Sequence, residues 1–346
     1  MNIRSRETVL ARGLITLLLM VGAFTTVYAQ DSTETPEAPE TGIEATVMSM
    51  PGELVDVGGY QLHIYCLGEG SPTVVLDAGA GDWSLAMLPL QQQLAEFTRT
   101  CVYDRAGNGW SEAGPLPVTA QGNADALYAL LTNAEIEAPY VLVGHSYGGL
   151  NVRLLASQHS ESIAGVVLID ARPPGMRVVE SEQFPEVLAM FQQQIDSVTP
   201  FIELLQSEPI PPEAAAQFVP EEFVPATLPT ELRQTYKQQL ATLGYLEAMV
   251  SLIENLEVSE EQVAGTELGD IPLVVLVAGE PGASPMGTEQ AAAMQQAWIA
   301  LQEEQATIST QSTVILVEDS GHYIYVDQPQ IVIDAIREIV EAARTE

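Results

Sequence analysis

The stretch "YVLVGHSYGGL", residues 140–150, decides how the chain reads. A run rich in Val and Leu stops at Gly144, Ser146 stands with a glycine two residues to either side, and a second apolar segment begins at once. A strand ending at Gly144, a turn tight enough to need small residues at 144 and 148, and a helix starting beneath the serine would lift Ser146 Oγ above the carboxyl edge of a sheet. The helix would add its positive end and unpaired N–H groups near any developing oxyanion. G-x-S-x-G is short and arises by chance, so its weight comes from the strand before it and the helical period after it.

Outward from this turn the pattern alternates. "YQLHIYCL" (60–67), "TVVLDA" (73–78), "RTCVYD" (99–104), "IAGVVLID" (163–170), "IPLVVLVAG" (271–279) and "STVILVED" (312–319) read as strands, several of them apolar on both faces as buried parallel strands are. Between them "WSLAMLPLQQQLAEF", "NADALYALLTNAEI", "YGGLNVRLLASQ", "GTEQAAAMQQAWIALQEEQ" and "QIVIDAIREIVEAAR" carry helical period. Alternation of this kind implies right-handed crossovers and helices on both faces of one sheet. Residues 171–270 break the rhythm: "EVLAMFQQQIDSVTPFIELLQ" and "ELRQTYKQQLATLGYLEAMVSLIENL" read as helices around a Pro-rich stretch. That interval is too long for a loop between core strands. It reads as a helical cap over the carboxyl edge, with 51–170 and 271–346 as the two parts of the core. A length of 346 residues with 47% hydrophobic content suits one large α/β domain carrying such an insertion.

The start of the chain reads as a targeting segment. Arg4, Arg6 and Arg12 flank the apolar run "GLITLLLMVGAFTTV", and "VYA" before Gln30 resembles a cleavage site, so residues 1–29 are expected to be a signal peptide cut after Ala29. The run falls short of the roughly 20 residues that span a bilayer, although an uncleaved anchor stays open. Residues 30–50, including "QDSTETPEAPETG", read as a flexible acidic leader. The expected location is therefore secreted or extracytoplasmic.

Charge narrows the partners. Twelve Lys and Arg face 47 Asp and Glu, a formal net charge of −35, and removing three Arg and Glu7 with the signal peptide takes this to −37. Nucleic acid and anionic membrane surfaces would both repel such a protein. No His/Cys/Asp cluster has zinc-like spacing and no G-x-G-x-x-G or phosphate-loop run appears, so neither metal nor cofactor is expected. A small-molecule substrate remains.

A serine hydroxyl needs a base before it attacks. Of four histidines, His63, His145 and His159 read as structural, whereas His322 follows the last strand in "VEDSGHYIYVDQP" and reaches the same edge as Ser146. The chain order Ser, acid, His suits this kind of site.

At this point the sequence resembles the α/β-hydrolase fold superfamily and its esterase-like members. "GGYQLHIYCLGEGSPTVVLDAGAG", "VYDRAGNGWSE", "LVGHSYGGLNVRLLA" and "SGHYIYVDQPQIVIDAI" carry the resemblance, which covers nearly the whole mature chain. It implies a mostly parallel eight-stranded sheet with helices on both faces and a helical cap after strand 6. It implies Ser146 as nucleophile and His322 as general base. The oxyanion hole would take the N–H of Tyr147 and, from "DAGAGDWS", that of Ala80. Trp83 would line the pocket or cover the first helix. The acid expected is Asp170, at the end of the sixth strand, with Glu280 in "VAGEPGASP" as the alternative, since Gly282 and Ala283 stand there in place of the usual Asp. The topology also makes Cys66 and Cys101 neighbours, so a disulfide is expected. The activity implied is that of an exported serine hydrolase cleaving carboxylic esters. The alternatives are an aminopeptidase or amidase of the same fold, a cofactor-free perhydrolase, and a non-catalytic binding protein. Ser146 stands where dehalogenases and epoxide hydrolases of this superfamily use Asp.

Overall fold

Eight runs of sequence pair into one sheet in the computed structural model, which describes residues 51–345 except 209, 222, 223, 226, 227, 229 and 282–286. The expected signal peptide and leader lie outside these residues. The strands are β1 (Glu53–Asp56), β2 (Gln61–Leu67), β3 (Thr73–Asp77), β4 (Thr100–Tyr103), β5 (Tyr140–His145), β6 (Ile163–Ile169), β7 (Leu273–Ala278) and β8 (Ser312–Val317), in the order β1-β2-β4-β3-β5-β6-β7-β8. β2 is antiparallel to both its neighbours, and every other pairing is parallel. β1 is only four residues long and mostly exposed, with Leu54 and Val55 set between Glu53 and Asp56, too short a run to announce a strand.

The strands that read as apolar on both faces are so because both faces are covered. Val75, Leu142 and Leu168 point into one core with helices α2 (Ala120–Asn133) and α3 (Gly148–Gln158); Val74, Leu76, Val141, Val143 and Val167 point into the other with α1 (Ser84–Leu94). The C-terminal helix, Pro329–Ala343, buries Val332, Ile333, Ala335, Ile336, Ile339 and Val340 in that second core, a stripe at helical spacing begun by Pro at the first turn. Each buried Ile contributes roughly 1.5–3 kcal/mol before entropy is counted. β8 departs from this scheme. As an edge strand it leaves Val314 and Leu316 exposed, although its sequence is as apolar as that of its neighbours.

Cys66 and Cys101 face one another in the β2–β4 register and form a disulfide.

Between β6 and β7 the regular elements are helical: α4 (Met176–Gln183), α5 (Pro185–Ser207), α6 (Pro212–Ala215), α7 (Thr230–Leu240), α8 (Leu243–Glu254) and α9 (Leu256–Val263). The stretch 231–256, read above as one helical segment, is broken after Leu240. The Thr242 side chain accepts the Tyr245 N–H at 3.2 Å and starts α8, a capping interaction that periodicity does not register. From α8, Tyr245 donates its hydroxyl to Gly81 O at 3.3 Å, so the insertion touches the loop that follows β3. No helix among the described residues is long and apolar enough to cross a membrane.

Candidate active site

β5 delivers Ser146 into a conformation that side chains avoid. Its φ is +51°, and only Glu135 and Asp170 share a positive φ among the described non-glycine residues. The surroundings hold it there: Ser146 N donates to Ile169 O at 3.2 Å, and Ser146 O accepts from Gly149 N at 3.1 Å and Arg172 N at 2.9 Å. The flanking glycines are required by contact. A Cβ on Gly144 would lie 2.6 Å from Gly149 Cα, and one on Gly148 would lie 2.4 Å from Asp77 O. Strand, turn and helix are pressed together at those two points. α3 starts at Gly148, directly beneath the serine, with the buried Tyr147 as its N-cap.

His322 arrives from the other end of the chain. Its Nδ1 lies 2.6 Å from Asp170 Oδ2. The second Asp170 oxygen, Oδ1, accepts the Ala278 N–H at 3.0 Å and the Trp298 indole N–H at 2.9 Å. Both carboxylate oxygens are thereby occupied and the side chain is 5% exposed, which leaves the carboxyl one orientation. Glu280, the other candidate acid, is exposed, and its backbone N–H bonds Ser320 O at 3.0 Å.

His145 sits closer to this pair than its structural reading suggested. Its Nε2 lies 3.0 Å from His322 O, and the two rings are 4.7 Å apart. The partner is a carbonyl, so Nε2 carries the proton. Burial first, then the neighbouring His322, hold the His145 pKa well below the ordinary histidine value. The ring is neutral and ties the loop carrying His322 to the residue before Ser146.

The loop after β3 closes against the serine: a Cβ on Gly79 would stand 3.3 Å from Ser146 Cβ and 2.9 Å from His145 Nδ1. Ala80 is partly exposed in this loop. Trp83 stands at the N-cap of α1. It is 1% exposed, stacked on Tyr236 at 4.4 Å and edge-on to Tyr245 at 6.0 Å, and so lies between the loop and the helical insertion. Asp82, also buried, accepts the Tyr323 hydroxyl at 3.3 Å; burial pushes its pKa up to about 6, against the pull of Arg105, this hydrogen bond and His322.

A model described as the alpha/beta hydrolase family matches residues 74–335. The chain belongs to that family. Among its relatives, the uncharacterized protein YqjL of Bacillus subtilis is 28% identical over 277 residues, covering 80% of this chain and 86% of the relative. The Bacillus megaterium epoxide hydrolase, solved with an inhibitor, superposes with a TM-score of 0.59 at 14% identity, covering 84% of this chain and 100% of that one. The enol-lactonase of Burkholderia xenovorans gives a TM-score of 0.50 at 19% identity over 84% and 100% of the two chains. At those identities the solved structures speak for the fold.

Seen as a family member, the chain shows what sequence reasoning missed. Trp298 reaches Asp170 across 128 residues, and no local pattern marks it. Arg105 had a signal, the "DRAGNGWSE" run, but no role until its partners were visible.

Proposed function

We propose that the chain is an exported serine hydrolase that cleaves carboxylic esters through an acyl-enzyme. The observation that carries this reading is the 2.6 Å contact between His322 Nδ1 and Asp170, on a loop whose His322 carbonyl is bonded by His145, the residue before the strained Ser146. With Nδ1–H held by the carboxylate, Nε2 is the basic nitrogen. It takes the Ser146 proton as Oγ bonds to the ester carbonyl carbon, and it returns that proton to the alcohol oxygen as the C–O bond breaks. Water then enters by the same route: His322 takes its proton, the hydroxide oxygen bonds to the acyl carbon, and Ser146 leaves with the proton. Asp170 orients the imidazole and stabilises its cation without accepting the proton. The N–H groups of Tyr147 and Ala80 are the donors for the tetrahedral oxyanion. The helices between β6 and β7 serve as a cap over this edge, and export follows from the targeting segment, in keeping with a disulfide.

The test is a fluorescent fluorophosphonate applied to the mature protein beside Ser146→Ala, with the labelled peptide located by mass spectrometry. Label on Ser146 that vanishes in the variant is the expected result, and hydrolysis of p-nitrophenyl esters of graded chain length should follow it. A folded protein that takes no label contradicts the reading.

A further inference from the structure

The loop assigned to the oxyanion, Ala78–Gly79–Ala80–Gly81–Asp82, contributes three backbone carbonyls to a single buried guanidinium. Arg105 is 5% exposed. Its Nη1 donates to Ala78 O at 2.5 Å and to the Asp77 carboxylate at 2.5 Å; its Nη2 donates to Gly79 O and, at 3.4 Å, to Asp82 O. Asp77 is in turn held by the Tyr103 hydroxyl at 2.8 Å and Asn151 Nδ2 at 2.9 Å. The fork is thus fixed at its base before it meets the loop. Burial disfavours the charge of Arg105, but Asp77 outweighs it and the residue stays cationic.

Peptide geometry turns this grip into a statement about the opposite side of the loop. In a trans peptide the C=O and the following N–H point in opposite directions from one planar unit. The Gly79 carbonyl and the Ala80 N–H belong to the same unit, as do the Ala78 carbonyl and the Gly79 N–H. A guanidinium that draws both carbonyls inward therefore directs both N–H groups away from itself. The loop there runs close to Ser146, where a Cβ added to Gly79 would stand 3.3 Å from Ser146 Cβ. A charged donor on a carbonyl also polarises its peptide and makes the attached N–H a stronger donor.

We infer that Arg105 is a positioning residue for the oxyanion hole, orienting and polarising the Gly79–Ala80 peptide from behind. This rests on the serine-hydrolase reading given above. Lysine cannot replace it: an ammonium keeps the charge but has no planar fork to hold successive carbonyls in a fixed relation.

The experiment compares wild type, Arg105→Lys and Arg105→Gln in p-nitrophenyl acetate turnover, with active sites counted from the endpoint of fluorophosphonate labelling. It adds the binding of a trifluoromethyl ketone, whose adduct carries an oxyanion, and hydrogen exchange of the peptide spanning 78–83. The expected result is a fall in kcat per labelled site on the order of 10- to 100-fold in both variants, with KM changed less than about threefold. Ketone affinity should fall in parallel with kcat/KM, and exchange should speed up at 78–83. A merely structural arginine would lower the fraction of labelled sites and leave kcat per site intact, and that result overturns the inference. Where Arg105→Gln does not accumulate as folded protein, Arg105→Lys decides alone, since it retains the buried charge. Absence of label on wild-type Ser146 would sink the hydrolase reading itself and is distinct from both outcomes.

Discussion

His322 Nδ1 and Asp170 Oδ2 stand 2.6 Å apart although 152 residues separate them in the chain. Asp170 is built for that contact: its other oxygen is taken by Ala278 and Trp298, so the carboxyl cannot rotate away. Asp170→Asn keeps the shape but can present an NH2 group to Nδ1, which places the imidazole proton on Nε2, the wrong nitrogen. A loss of about 10⁴ in kcat is expected from ester assays with little change in KM. Glu280→Gln, on an exposed side chain, should change kcat by less than about twofold. An equal loss in the two variants would contradict the assignment of Asp170.

The disulfide joins β2 to β4 across 35 positions of sequence. Its loop-closure entropy corresponds to about 4 kcal/mol of stability in the chain-entropy description. A double Cys66→Ala, Cys101→Ala variant should lose between about 2 and 5 kcal/mol in denaturant unfolding. The residues proposed for catalysis, Ser146, Asp170 and His322, lie on other loops, so its turnover per labelled site should stay near that of wild type.

His63 is buried with both ring nitrogens against acceptors: Nδ1 is 2.9 Å from Asp104 Oδ2, and Nε2 faces the Pro51 carbonyl. Burial lowers its pKa, but Asp104 and then the Pro51 carbonyl outweigh burial and hold it above the ordinary 6.5. A histidine raised in the folded state contributes stability that is fully present below the unfolded pKa and is lost as pH rises through the folded value. The difference in unfolding free energy between wild type and His63→Gln should therefore be largest below pH 6.5 and shrink as pH rises. A difference independent of pH would contradict the imidazolium.

Asp82 acts in the same direction by the opposite charge logic. Its carboxyl ionises near 3.8 in the unfolded chain and at about 6 in the fold, so between these values only the unfolded chain gives up its proton and stability falls as pH rises. Above pH 6 the cost levels off at roughly 3 kcal/mol. Asp82→Asn, which can still accept the Tyr323 hydroxyl, should raise the thermal midpoint at pH 7.5 and leave it nearly unchanged at pH 3.5. No gain at pH 7.5 would mean that Asp82 is not a buried ionised group in the native protein.

What the sequence determined by itself is what local periodicity and sterics encode. Runs such as "TVVLD" and "YVLVGH" are strands because both of their faces meet apolar helices. Gly144 and Gly148 mark the turn because nothing larger fits between strand and helix there, and a Ser between them on a strained backbone reads as a nucleophile without any knowledge of its neighbours. The acid was a different matter. Asp170, at the end of β6, is the preferred acid from its place in the chain, with Glu280 the alternative; that Trp298, Ala278 and His322 gather around Asp170 is decided by the tertiary structure alone. The break at Thr242, the burial of Trp83 beneath Tyr236 and the exposure of Val314 and Leu316 on β8 were equally invisible, because each depends on what lies across the fold rather than along the chain. Arg105 shows the boundary most clearly: its run of sequence was noticeable, but the carbonyls it gathers belong to a loop more than twenty positions away, brought to it by the pairing of β3 with β4.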